Sequence, residues 1–238
     1  MGSRLIGPTA SGDNSVRPVD SASYQPGVSP GAWITIFGQN LAASTHAVTT
    51  SDLISGNLPT TLNGVSVKID NQPAYIQYVS PTQINVQAPA DSNTGNVQVT
   101  LTNASGTSDP ITATLQSILP AFFTSQTYVA AVRSDGGVIS GAQAARPGDL
   151  LSFYGTGFGP TSPSVLPGAV VQTAAALTNP VVVTIGGSEA AVSFAGLSGA
   201  GLYQLNVTVP GLPDGDHAVL AEIAGLRTQS GVLLKTQS

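Results

Sequence analysis

Apolar and polar positions alternate with period two along short stretches of this chain, and the stretches recur in the same order in its two halves. "SPGAWITIFGQNL" (29–41) lies over "RPGDLLSFYGTGF" (146–158) at an offset of 117 residues. "GVSVKIDNQPAYIQYVS" (64–80) lies over "PVVVTIGGSEAAVSFAG" (180–196) at 116. "SPTQINVQAP" (80–89) and "GLYQLNVTVP" (201–210) share a Gln-x-Asn at 121, and "VQVTLTN" (97–103) covers "VLAEIAG" (219–225) at 122. Four blocks in one order, separated by small changes of loop length, are the mark of a tandem duplication.

A period of two is that of a strand with one face buried. Two cores are therefore predicted. The first holds Ile34, Ile36, Val65, Val67, Ile69, Ala74, Ile76, Tyr78, Ile84, Val86, Val97, Val99 and Leu101. The second holds their counterparts Leu151, Phe153, Val181, Val183, Ile185, Ala190, Val192, Phe194, Leu205, Val207, Val219, Ala221 and Ile223. "DNQP" (70–73) and "GGSE" (186–189) are turn sequences between paired strands. Short strands at this spacing predict an all-β chain of two tandem immunoglobulin-like antiparallel β-sandwiches.

The boundaries that follow are an arm at 1–14, a first sandwich at 15–118, an apolar hinge at 119–127 and a second sandwich at 128–238. Phe122 and Phe123 are too apolar for a free linker, so they are expected to be buried between the modules. "SVRPVDSASY" (15–24) sits where "TYVAAVRSDG" (127–136) opens the second copy. It is expected to pair with the first sheet, with the preceding arm held by contacts. Met1 to Ser3 reads as a cloning remnant, and the start of the chain carries no signal-peptide pattern.

The segments "SPGAWITIFGQNLA", "ISGNLPTTLNGVSVKIDNQPAYIQYVSPTQINVQAP" and "RPGDLLSFYGTGFGPT…GLYQLNVTVPGLPDGDHAV" resemble an uncharacterised C-terminal domain family of secreted acidobacterial proteins. Each half is also similar to the immunoglobulin-like IPT/TIG module, whose Pro-Gly-x-x-(Val/Ile)-x-Ile-x-Gly opening stands at Pro30–Gly38 and recurs at Pro147–Gly155 with Leu151 and Phe153 at its apolar positions. The resemblance implies an extracellular or cell-surface pair of modules. It transfers no catalytic residue.

Composition narrows the function further. Charged residues make up 8% of the chain, against about 25% in an average domain, and the net charge is −5. The seven basic residues are scattered singly, which gives nucleic acid no phosphate-binding stripe. Without cysteine there are no disulfides, thiolate metal sites or Cys nucleophiles. No run of about 18 apolar residues is present to span a membrane.

The candidate chemistry is sparse. Trp33, Phe37 and Tyr75 fall on the strand faces opposite the first core, where exposed aromatics would stack on pyranose rings or anchor a partner. Cover of Trp33 by the N-terminal segment or by the loop at 43–59 is the alternative. Gln83 and Asn85, with Gln204 and Asn206 in the second copy, lie on the same outer faces, either as a ladder for sugar hydroxyls or as amides that fix one corner twice. "GVSPG" (27–31) has the letters of a hydrolase elbow, but Pro30 follows the serine and offers no N–H to an oxyanion. His46 and His217 fall in separate halves and read as loop residues. The loops holding Asp91 and Asp214/Asp216 offer oxygen ligands for Ca²⁺, yet Asp, Asn and Gly are also what tight turns select.

The sequence therefore points to a non-catalytic, secreted or surface-associated module pair acting as spacer, adhesion or assembly element. Self-association through sheet edges, a protein partner and an extracellular polysaccharide are the partners it admits. A carbohydrate-binding module on Trp33, Phe37 and Tyr75 is the alternative, and accessory domains of a secreted hydrolase the second. No cofactor is implied.

Overall fold

The computed structural model describes residues 16–237. Its residues divide into two compact units. The first takes the described residues up to Ser117 together with Leu166–Val170, and the second takes Ile118–Val165 and Val171 onward. Both are all-β and built as immunoglobulin-like sandwiches; among the described residues the helical element is one 3₁₀ turn, Thr50–Asp52.

In the first unit one sheet orders strands Arg17–Asp20, Trp33–Phe37, Gln83–Gln87, Tyr75–Val79 and His46–Ala47. The facing sheet is built on Val65–Ile69 and Gly95–Asn103, with Ile111–Leu115 added to the latter. Ile34, Ile36, Ile84 and Val86 from one sheet meet Val65, Val67, Ile69, Val99 and Leu101 from the other, all at most 1% exposed. In the second unit Ala131–Arg133, Leu150–Thr156, Leu202–Thr208 and Val192–Gly199 form the corresponding sheet. Its partner is centred on Val181–Ile185, Gly215–Ile223 and Leu233–Thr236.

The duplication extends to the turns. Asp70 and Asn71 both have positive φ (49° and 61°) between the partners Ile69 and Gln72. Gly186 and Gly187 repeat this (59° and 80°) between Ile185 and Ser188. Two successive left-handed residues make the tight hairpin whose twist matches that of its strands.

It extends to an irregularity as well. The pairing of Tyr75–Val79 with Gln83–Gln87 slips between Ile76 and Tyr78, which puts Tyr78 opposite Asn85 and Val79 opposite Ile84. In the second unit the slip falls between Val192 and Phe194, and Phe194 lies opposite Asn206. A bulge moves every later side chain to the other face. This corrects the expected cores: Tyr78 and Phe194 lie on the outer face, half-buried, and Val79 fills the first core instead. Val181 and Val192 are also only half-buried.

The apolar segment expected as a hinge carries strand Ala121–Phe122, which pairs with Leu150–Thr156. Phe122 is fully buried in the second core, edge-on to Phe153 at 5.9 Å and tilted on Phe158 at 5.6 Å. It was expected between the modules; it belongs to the core of one. Phe123 is half-buried. At the start of the described chain, Arg17–Asp20 pairs antiparallel with Trp33–Phe37, as Ala131–Arg133 does with Leu150–Thr156. Ser15 and the preceding arm lie outside the described residues.

Candidate functional site

The aromatic and amide candidates of the first copy, Trp33, Phe37, Tyr75, Gln83 and Asn85, lie on the outer face of one sheet, and the register fixes their rows. Directly opposed residues of antiparallel strands share a face with Cβ atoms about 5 Å apart. One row reads Arg17, Phe37, Gln83; the next reads Val19, Thr35, Asn85, Tyr78; the third ends in Trp33, Gln87, Tyr75.

The middle row is a closed hydrogen-bond chain. The Thr35 hydroxyl donates to Asn85 Oδ1 at 3.2 Å, so the 2.8 Å contact between Ser21 and Thr35 takes its proton from Ser21. Gln83 Nε2 donates to the same Oδ1 at 2.8 Å. In the second copy Ser152 Oγ and Gln204 Nε2 donate to Asn206 Oδ1 at 3.0 and 2.8 Å. Ser152 stands where the first copy has Thr35.

Of the two readings of Trp33, exposed platform or covered side chain, the structure has the covered one: Trp33 is only 8% exposed. Tyr75 is half-buried, because the backbone of Leu166–Val170 lies on it: a Cβ on Gly168 would overlap the Tyr75 ring. The Gly168 N–H donates to Gln87 Oε1 at 2.7 Å, its carbonyl accepts from Leu58 N–H at 2.8 Å, and Gln87 Nε2 donates to the Gly31 carbonyl at 2.9 Å. The first copy's third row is therefore occupied by the protein itself. No local signal in "QPAYIQYV" announces cover from a segment some 90 residues away in sequence.

Phe37 is half-buried and open, and Tyr24, 57% exposed, is stacked on it at 6.2 Å and 30°. Tyr24 was missed from the sequence because it sits in a turn, outside any alternating strand. The turn is rigid: Asp20 Oδ1 accepts from the Ala22 N–H, the Ser23 N–H and the Ser23 hydroxyl at 3.0, 2.7 and 2.8 Å. It holds Tyr24 at φ 56°, a left-handed conformation that a bulky side chain seldom adopts. Asp20 is fully buried, its Oδ2 has no partner, and burial pushes its carboxyl above the usual range against the pull of those donors.

The remaining candidates are local. Ser29 of the elbow-like motif is 1% exposed and precedes a strand rather than a helix, so its hydroxyl faces no substrate. His46 Nε2 meets Asp52 Oδ2 at 3.0 Å; hydrogen bonds from the Thr49 side chain, then His46, lower the Asp52 carboxyl to about 2. His217 Nε2 donates to the Pro213 carbonyl at 2.8 Å. Asp91 caps its own turn through the Asn93 N–H, and Asp216 accepts from the Tyr128 hydroxyl. Among the described residues no group of three His, Cys, Asp or Glu side chains is placed to hold a metal ion. No helix there is long and apolar enough to cross a membrane, which leaves strand-built spans untouched.

Residues 22–115 match the IPT/TIG domain model. With the repeat, this supports tandem IPT/TIG-like modules; domains of this kind are typically non-catalytic. No curated protein matches the sequence. Among solved structures, SGBP-B of the Bacteroides ovatus mixed-linkage glucan utilization locus, in complex with a mixed-linkage heptasaccharide, is 16% identical with a TM-score of 0.40. That likeness covers 97% of this chain and 47% of the other, so the chain spans just under half its length. The surface glycan-binding protein PbSGBP-B of Prevotella bryantii is 14% identical (TM-score 0.28; 97% and 42% covered). The plexin A4 extracellular region is 13% identical (TM-score 0.29; 96% and 19% covered). Likenesses this weak bear on neither ligand nor site.

Proposed function

We propose that this chain is a non-catalytic, secreted or cell-surface pair of immunoglobulin-like modules that serves as a spacer, adhesion or assembly element. The resemblance to a C-terminal domain family of secreted acidobacterial proteins belongs to the same reading. One observation carries it. The polar groups repeated in both copies are spent on each other: Gln83 and Asn85 close a chain with Thr35, and Gln204 and Asn206 close its twin with Ser152. Residues kept through duplication because they hold a corner support a scaffold, not a reaction centre.

Carbohydrate binding by Trp33, Phe37 and Tyr75 together is disfavoured, since Trp33 is buried and Tyr75 carries the Gly168 backbone. The test is Trp33→Ala, scored for stability and on a glycan array side by side. Emptying a buried Trp site costs about 3–5 kcal/mol, and the scaffold reading expects that loss with an unchanged array profile. A well-folded Trp33→Ala that loses a glycan signal would restore the platform reading.

A further inference from the structure

The two copies share an outer-face strip, and the first adds two groups to it. Shared are Phe37 and Tyr154, Gln83 and Gln204, Asn85 and Asn206, and the bulge residues Tyr78 and Phe194. Added are Arg17 and Tyr24. Arg17 lies directly opposite Phe37, whereas its counterpart Ala130, bonded through its carbonyl to the Tyr154 N–H, has no charge. The turn that presents Tyr24 is replaced in the second copy by the tight hairpin around Gly136 and Gly137. What only one copy carries is where a ligand-specific role is to be sought, with the shared Phe37 and Gln83 beside it as support.

We propose that Tyr24, Phe37, Arg17 and Gln83 form a binding subsite for an acidic pyranose, a uronate unit of an extracellular polysaccharide. Each group answers one part of such a ligand. The exposed Tyr24 ring, backed by Phe37, offers an apolar face to the C–H face of a sugar ring. Arg17 is exposed, makes no ion pair among the described residues, and carries the planar fork that pairs with a carboxylate. Gln83 spends one Nε2 hydrogen on Asn85, leaving its Oε1 and second N–H for hydroxyls. The turn bonds to Asp20 hold Tyr24 in place before any ligand arrives, which lowers the ordering cost of binding. Because the chain is acidic overall, at −5, general attraction does not account for binding a polyanion; a local cation must.

The subsite is independent of the spacer reading and would give its adhesive form a ligand. Affinity electrophoresis and calorimetry of the full chain against polygalacturonate, a neutral soluble β-glucan and polyglutamate test it. Retardation by polygalacturonate alone is expected. Arg17→Ala and Tyr24→Ala should each weaken it about tenfold, the worth of one charge-assisted or stacking contact. Arg146→Ala should leave it intact, and thermal melts establish that all three variants fold. Binding neither polyanion, binding the neutral glucan equally well, or binding that survives Arg17→Ala would overturn the proposal. Equal binding of polyglutamate would show that a carboxylate alone is read and overturn the sugar assignment, while the spacer reading would stand in every case.

Discussion

Gln83 donates its side-chain amide to Asn85 at 2.8 Å, and Gln204 donates to Asn206 at the same distance on the equivalent strand of the second unit. In each pair the asparagine oxygen is the hub, because it also takes the proton of Thr35 or Ser152. Removing the hub strands two donors; removing the glutamine frees one acceptor position. Asn85→Ala and Asn206→Ala are therefore expected to cost about 1–3 kcal/mol each, and Gln83→Ala and Gln204→Ala under about 1. Urea denaturation of the four variants checks this ordering, which a purely exposed amide ladder would not produce.

Ile84 and Leu205 occupy one position in the two cores and are both fully buried. Truncating either to Ala leaves a cavity and should cost about 2–5 kcal/mol. Hydrogen exchange should show the loss confined to the unit that carries the substitution: around Val65–Ile69 for Ile84→Ala, around Val181–Ile185 for Leu205→Ala. A cost below about 0.5 kcal/mol would contradict the strand faces described above.

These positions were legible in the sequence because burial on one face of a sheet writes a period of two, and duplication writes it twice. Tyr78 and Phe194 were not, because a single bulge residue ends the period without any change of composition, and both aromatics read as core. Tyr24 was not, because its role depends on a turn fixed by Asp20. Trp33 and Tyr75 were placed on the outer face, and cover of Trp33 was among the readings the sequence allowed; the cover over Tyr75 was not, because it comes from Leu166–Val170 and no pattern local to Tyr75 encodes it.

That cover is open to test at Gly168. With φ at 82° and the Tyr75 ring where a Cβ would project, the position excludes any side chain. Gly168→Ala is expected to lift the segment from Tyr75 and leave Gln87 Oε1, a buried acceptor, without its donor. The amide of Leu58, which donates to the Gly168 carbonyl, should then exchange with solvent far faster than in the wild type. Unchanged protection at Leu58 would show that the segment tolerates a methyl group there.

Asp20 makes stability depend on pH with a definite sign. Burial raises its carboxyl in the folded state above the ordinary 3.8, so the folded chain binds this proton more tightly than the unfolded chain does. The stabilisation linked to that proton is complete below the unfolded value and is lost as pH rises through the folded one. Asp20→Asn removes the titration but keeps an oxygen for the Ala22 and Ser23 donors. On going from pH 7 to pH 3, wild type is therefore expected to gain stability relative to Asp20→Asn, whatever their order at neutral pH. Comparing the two proteins cancels the other carboxylates, including Asp52, whose lowered value of about 2 pushes the opposite way. Asp20→Ala, which abolishes all three acceptor contacts, should cost about 1–3 kcal/mol and release Tyr24 from Phe37. Paired urea midpoints at the two pH values decide the sign, and a wild type that loses ground to Asp20→Asn on acidification would show that its three donors, not burial, govern this carboxylate.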